Sequence, residues 1–421
     1  MFPISLRGCA CLALLLLAVP AMAQPSRIPA TLPAVLDWTA AHHPALQRMT
    51  HELQARSALV DAAGFGPPLT LDAEVENPAG TGEFAGGDRL ETTLSLGGVL
   101  EWGGRPMLRR VEALSRTDVL RIELDQQRRD VLADAALRFI DLARAQADLD
   151  LLEQALKAAE QTADASRERQ QAGAASAADT QRATLELSAA RLRIRQARTR
   201  RQGAERALAI ATGAPNAAVA APRVDWSTLP PVPSRGHLLR WAQQAPAVNL
   251  ATADQSLAQA RLRLAASRAR SDLSWSVGVR DDRDSGDQAL VFGLGLSLGS
   301  SRRSQPERQA AEAQVEASHW ARQSAGLEAQ ALVTAAWAEL DALYEAFAVI
   351  RDDLEAQSAE VLQAMRDGYR QGRYSLLELT TAQQDLLTWR QRRLAVATEY
   401  HQTRIELERL LGRSLGENAS Q

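Results

Sequence analysis

Residues 69–78, LTLDAEVENP, alternate without a break. Leu69, Leu71, Ala73 and Val75 fall on one side, and Thr70, Asp72, Glu74 and Glu76 on the other, as in a strand with one oily and one acidic face. Three further stretches share the pattern. Leu90, Thr92, Leu94 and Leu96 face away from Glu91, Thr93 and Ser95. Leu273, Trp275, Val277 and Val279 oppose Ser274, Ser276, Gly278 and Arg280, and the even positions from Leu290 to Leu298 form a last apolar row. The stretches come in two pairs, joined by the Gly- and Asp-rich connections AGTGEFAGGD and DDRDSGD, which predict two β-hairpins. Strands of about nine residues with one apolar face match a tilted transmembrane β-strand. The alternative is a soluble sheet with one face on a core, but the sequence offers no other β-elements to cover it. Four strands cannot close a membrane barrel, which starts at about eight, and open sheet edges are not tolerated in lipid. If these strands span a membrane, several chains share one barrel. The oily sides then face lipid, and Asp72, Glu74, Glu76 and Glu91 face the pore, either favouring cations or simply as a solvated lining.

The remainder reads as helix. Leu132, Ala135, Phe139, Leu142, Leu149, Leu152 and Leu156 keep the three-, four- and seven-residue spacing of a coiled-coil seam. No strong breaker appears from roughly Met107 to Gln171, enough for a rod of about 100 Å, and a similar segment runs from about Glu307 to Gln371. Each ends at a Gly and continues as a second helix, near Ala177–Ala211 and Leu376–Leu411. Aromatics are only 4% of residues, which suits long, closely packed Ala-rich helices better than a large conventional core. The two halves repeat each other. LDWTAAHHPAL (36–46) echoes LRWAQQAPAV (239–248), LSLGG (94–98) echoes LSLGS (296–300), and both turns read Gly-x-x-Ser-x-x-acid. The expected organisation is a leader over 1–23, a first repeat over 24–213, a Pro-rich linker over 214–235, a second repeat over 236–413 and a tail over 414–421. Strands are expected near 69–77, 89–100, 273–280 and 289–299.

The expected leader rests on Arg7, the apolar run Cys9–Val19 and the AMAQ site, with cleavage after Ala23. Cys9 and Cys11 lie inside it, so the mature chain has no thiol, disulfide or Cys-based metal site. A net charge of -3 gives no overall pull toward nucleic acid, and the Arg-rich stretch 191–201 reads as a solvated or intersubunit face. No phosphate loop, nucleophile elbow or HExxH motif is present, so no enzyme and no cofactor are expected. His42-His43 lacks a second, spaced ligand set, and no metal site is assigned.

With this duplicated order of elements, the sequence resembles the TolC family of outer-membrane efflux proteins over nearly the whole mature chain. Within it, the chain looks closest to the heavy-metal (CzcC-like) branch. Glu76-Asn77-Pro78 ends the first strand, and LEWGGR (100–105) follows the second where that branch has E-x-G-G-[KR]. Trp102 departs from the smaller aliphatic residue usual there. The resemblance implies a mainly α fold with a small transmembrane β part. It implies a homotrimer whose twelve-stranded β-barrel sits in outer-membrane lipid and continues as a periplasmic α-helical barrel. The partners implied are a periplasmic adaptor (membrane fusion) protein and an inner-membrane resistance-nodulation-division pump, with the chain as passive exit duct, here for heavy-metal cations. Rival expectations are the same duct for drugs, solvents or a secreted polypeptide, and a soluble periplasmic coiled-coil scaffold. By resemblance, Gly173, Ser176, Gly372 and Ser375 lie at the tip that docks on the adaptor, and Asp179, Tyr369 and Glu378 belong to the gate. Tyr374 stands where a gating arginine can occur and Thr381 where a second acid can, so the gate is expected to be built differently here.

Overall fold

A computed structural model describes residues 27–415. The leader expected over 1–23 and most of the expected tail lie outside these residues. The short strand β1 (Arg27–Ile28) precedes helices α1 (Leu32–His42) and α2 (Pro44–Ala63), the hairpin β2 (Thr70–Glu76) and β3 (Glu91–Leu100), and the helices α3 (Arg105–Gln171) and α4 (Ala177–Ala211). After β4 (Ala218–Val219), the order repeats as α5 (Arg235–Ala242), α6 (Pro246–Ser267), β5 (Leu273–Asp282), β6 (Gln288–Leu296), α7 (Ser300–Val349), α8 (Glu355–Arg370) and α9 (Leu376–Leu411). At 1.5 Å per residue, the 67 residues of α3 extend about 100 Å.

Local sequence explains where the helices begin. Pro44, Pro106 and Pro246 sit in first turns, where a missing N–H costs nothing. Gly104 (φ 68) and Gly299 (φ 83) hold the left-handed turns that launch α3 and α7 from their strands. They show that the LSLGG and LSLGS echo is out of register. Gly299 corresponds to Gly104, whereas Gly97 lies in mid-strand.

The expected uninterrupted helix over 307–371 is corrected at its start and in its interior. It starts at Ser300, with Pro306 in its second turn, where the only carbonyl that loses its helical N–H is that of Arg302. It is broken by a π-turn at Ile350–Leu354. The extra residue turns the apolar stripe, so that Phe347 and Ile350 are buried with Val396 and Ala397 of α9 while Leu354 packs at their edge.

The helical seam buries Ala135, Phe139, Leu142, Leu149 and Leu152, with Leu132 and Leu156 half-buried. The linker is tied down. β1 pairs in parallel with β4, the Tyr400 hydroxyl donates to the Pro230 carbonyl (2.6 Å), and the Trp337 indole donates to that of Pro233 (3.1 Å). Sequence periodicity alone does not show these ties, because a two-residue strand and single side-chain anchors leave no repeat.

Candidate functional site

β2, β3, β5 and β6 form one antiparallel sheet in the order β2-β3-β5-β6. Its register lines up a single apolar face. Leu71 pairs with Leu96, Leu96 with Val277, and Val277 with Phe292. Leu71, Phe292 and Leu294 are 70%, 73% and 79% exposed. Burying such a row is worth roughly 25 cal/mol per Å², yet no element among the described residues covers it. The outer edges of β2 and β6 likewise pair with nothing among the described residues. A sheet with an oily face and two open edges is a segment of a larger wall.

The opposite face carries the predicted acids. Asp72, Glu74 and Glu76 alternate along β2, and Glu91 pairs directly with Glu76. Like charges placed opposite one another repel. Arg280 of β5 resolves this pair, donating to Glu91 (3.1 Å) and to the Thr93 hydroxyl (3.1 Å) and lying 3.5 Å from Glu76. Asp72 and Glu74 have no ion-pair partner among the described residues. The sequence placed Arg280 on the polar side but did not show this bridging role, since its partners lie about 190 residues away.

The two long hairpins end in matching turns. Gly173 (φ 73) and Gly372 (φ 76) occupy left-handed positions that disfavour a Cβ. Ser176 and Ser375 then cap α4 and α9 in reciprocal capping boxes. The Asp179 N–H donates to Ser176 Oγ (3.1 Å), and its carboxylate accepts from the Ser176 N–H (3.2 Å). The Glu378 carboxylate accepts from the Ser375 N–H (2.7 Å) and hydroxyl (2.8 Å). Those bonds favour the ionised form and hold the Glu378 carboxyl below its ordinary range. The stabilisation is therefore complete above the ordinary glutamate range and is lost as pH falls through the lowered value. We expect Ser375→Ala to weaken this cap by about 1 kcal/mol, raising amide hydrogen exchange over 376–379 about fivefold. Unchanged exchange there would remove the cap from the account.

The structure does not join Asp179 to Tyr369 by a hydrogen bond among the described residues. Asp179 is held by its own cap, and Tyr369 is buried against Leu362, Leu376 and Leu379. Beside an apolar cluster that joins Ala163, Ala183 and Leu187 to Tyr369, Leu376 and Leu379, a polar link between the tips is made by Arg169, in the last turn of α3. Its guanidinium lies 4.7 Å from the centre of the Tyr369 ring and donates to the Tyr369 carbonyl and, at 3.4 Å, to that of Ala174. The Tyr374 ring packs against Gly368, where an added Cβ would come 2.0 Å from it, and Thr381 is exposed. Neither Arg169 nor Gly368 is marked by any short motif. His42 stacks on Trp38, and His43 caps α2, so both have local structural contacts. Among the described residues no cluster of His, Asp and Glu could hold a metal ion.

The family model for outer membrane efflux proteins matches residues 35–214 and 237–413. The chain belongs to the outer membrane efflux protein family. It is 24% identical over 401 residues to the cobalt-zinc-cadmium resistance protein CzcC of Cupriavidus metallidurans, covering 94% of this chain and 93% of that one. Its fold is that of the outer-membrane channel OprN (17% identity, TM-score 0.74, 90% and 89% of the two chains). It is equally that of the outer membrane protein VceC of Vibrio cholerae (18% identity, TM-score 0.74, 91% and 96%). The fold is therefore the mainly helical outer-membrane channel fold expected from the repeated elements. The strands belong to the outer membrane and the helices extend into the periplasm. Proteins of this family are channels rather than enzymes, and they work as trimers with adaptor and pump partners.

Proposed function

We propose that this chain is the exit duct of a tripartite efflux pump that exports heavy-metal cations. The observation that carries the duct is the sheet, whose oily face is uncovered and whose two edges are open. Three copies supply twelve strands and close the edges. The cargo reading is supported by the likeness to a cobalt-zinc-cadmium resistance protein and by the acidic inner face of β2. Gly173, Ser176, Gly372 and Ser375 form the end that meets the periplasmic adaptor, and an inner-membrane resistance-nodulation-division pump drives the flow. Asp179, Tyr369 and Glu378 stand at the gate, whose intrachain tie is Arg169. Asp72, Glu74, Glu76 and Glu91 line the barrel.

A strain lacking this chain and every other family member that could substitute is the direct test, grown on zinc, cobalt, cadmium, nickel, copper and silver salts beside hydrophobic drugs. Sensitivity to metals, rescued by this chain alone, is the expected result. Sensitivity to drugs without metals would overturn the cargo while keeping the duct.

A further inference from the structure

Between the two helical hairpins, a short way from their tips, α3, α4, α8 and α9 leave a cavity of about 220 Å³. It is hollow because small side chains stand where a tight bundle would place large ones: Ala155, Ala158 and Ala159 on α3, and Ala183 and Ala190 on α4. Leu362, Leu386 and Leu387 supply apolar walls. The neutral polar groups at its rim are already engaged. Gln383 donates to the Thr162 hydroxyl (3.0 Å), and Gln384 donates to Glu186 (3.4 Å). Arg390 is held by Glu355 (3.1 Å). Two cations are left over. Arg193 of α4 and Arg366 of α8 line the cavity from opposite hairpins, and neither makes an ion pair or hydrogen bond among the described residues.

From this we infer that the cavity is a binding site for a small amphiphilic organic anion: a carboxylate or sulfonate on a compact aromatic or short aliphatic body. The apolar body fills the space over the alanines, and the anionic head bridges Arg193 and Arg366. With Arg390 paired to Glu355, the lining still sets Arg193 and Arg366 against Glu186, which disfavours a cation. The proposal does not rest on the cargo reading. Because such an occupant touches all four helices, it ties one hairpin to the other.

The test uses the full chain, assembled in lipid nanodiscs, with naphthalene-2-sulfonate as probe and empty nanodiscs as blank. We expect saturable binding of one probe per chain. Arg193→Gln with Arg366→Gln, both at solvent-accessible positions, should weaken it at least tenfold with the helical content unchanged. Ala158→Leu, which fills the cavity while leaving both arginines, should abolish it. The neutral analogue naphthalene-2-methanol should bind at least tenfold more weakly than the sulfonate and be insensitive to the arginine changes. Equal binding of the two probes, or sulfonate binding untouched by the double arginine variant, would overturn the anion site. Binding that survives Ala158→Leu would place the probe elsewhere and overturn the cavity assignment.

Discussion

Arg169→Ala channels are expected to show a severalfold higher single-channel conductance in planar bilayers than the native protein, with the trimer intact. Arg169 connects the end of the first hairpin to the second through a charge-assisted bond to the Tyr369 carbonyl and a ring contact. A bond of the first kind contributes about 1.5–3 kcal/mol, and an arginine over an aromatic face adds about 0.5–1 kcal/mol where it is partly exposed. Arg169 is half-buried, so the lower ends apply, giving about 2 kcal/mol for each chain. Every 1.4 kcal/mol is a factor of ten in an equilibrium, so losing one such tie shifts the balance between joined and parted hairpins more than tenfold. Three chains act together in the trimer.

The control is Tyr369→Phe. It keeps both the ring under the guanidinium and the carbonyl that accepts from it, so by itself it should leave this tie in place. If Arg169→Ala conducts like the native channel, the tips are held by other contacts, the apolar cluster around Tyr369 and the Gln383–Thr162 bond or contacts between chains, and this tie is irrelevant to the gate. Asp179 and Glu378 each accept from their own helix start through one oxygen, Oδ2 and Oε2, and neither bonds to the opposite hairpin among the described residues.

What could be read from the sequence was whatever repeats within a few residues. Strand alternation has a period of two, and the register later set Leu71, Leu96, Val277 and Phe292 in one row because each was already on the apolar side. The capping boxes were legible because serine and acid stand three residues apart and satisfy each other locally. The π-turn at Ile350–Leu354 was not, because it answers to the packing of Trp226, Val396 and Ala397, which are distant in the chain. The bridging roles of Arg169 and Arg280 were invisible for the same reason. Each is one arginine among many, and only the fold shows that its partners lie about 200 residues away. The LSLGG echo misled because a short match can slip along a strand, whereas the left-handed glycines that start α3 and α7 cannot.

Arg280→Gln should raise the cation-over-anion permeability of the reconstituted channel, read as a larger reversal potential in a salt gradient. In the native chain, Arg280 offsets the carboxylates of Glu76 and Glu91, leaving Asp72 and Glu74 without an ionic partner among the described residues. Removing it changes the polar face by one charge per chain, three per assembled barrel. Rings of charged side chains lining a pore act on passing ions. The same substitution leaves Glu76 and Glu91 directly opposite each other with nothing between them, a cross-strand repulsion worth up to about 1 kcal/mol. The top of the hairpin should therefore also lose thermal stability. Glu76→Gln with Arg280→Gln removes one of the two facing acids and should restore stability while returning selectivity toward the native value. That pairing separates the two effects: selectivity follows the net charge of the ring, and stability follows the facing pair. A reversal potential that does not move in Arg280→Gln, with Asp72→Asn and Glu74→Gln equally silent, would mean that the acids only solvate the wall. Selection among ions would then have to occur before the cargo reaches the barrel.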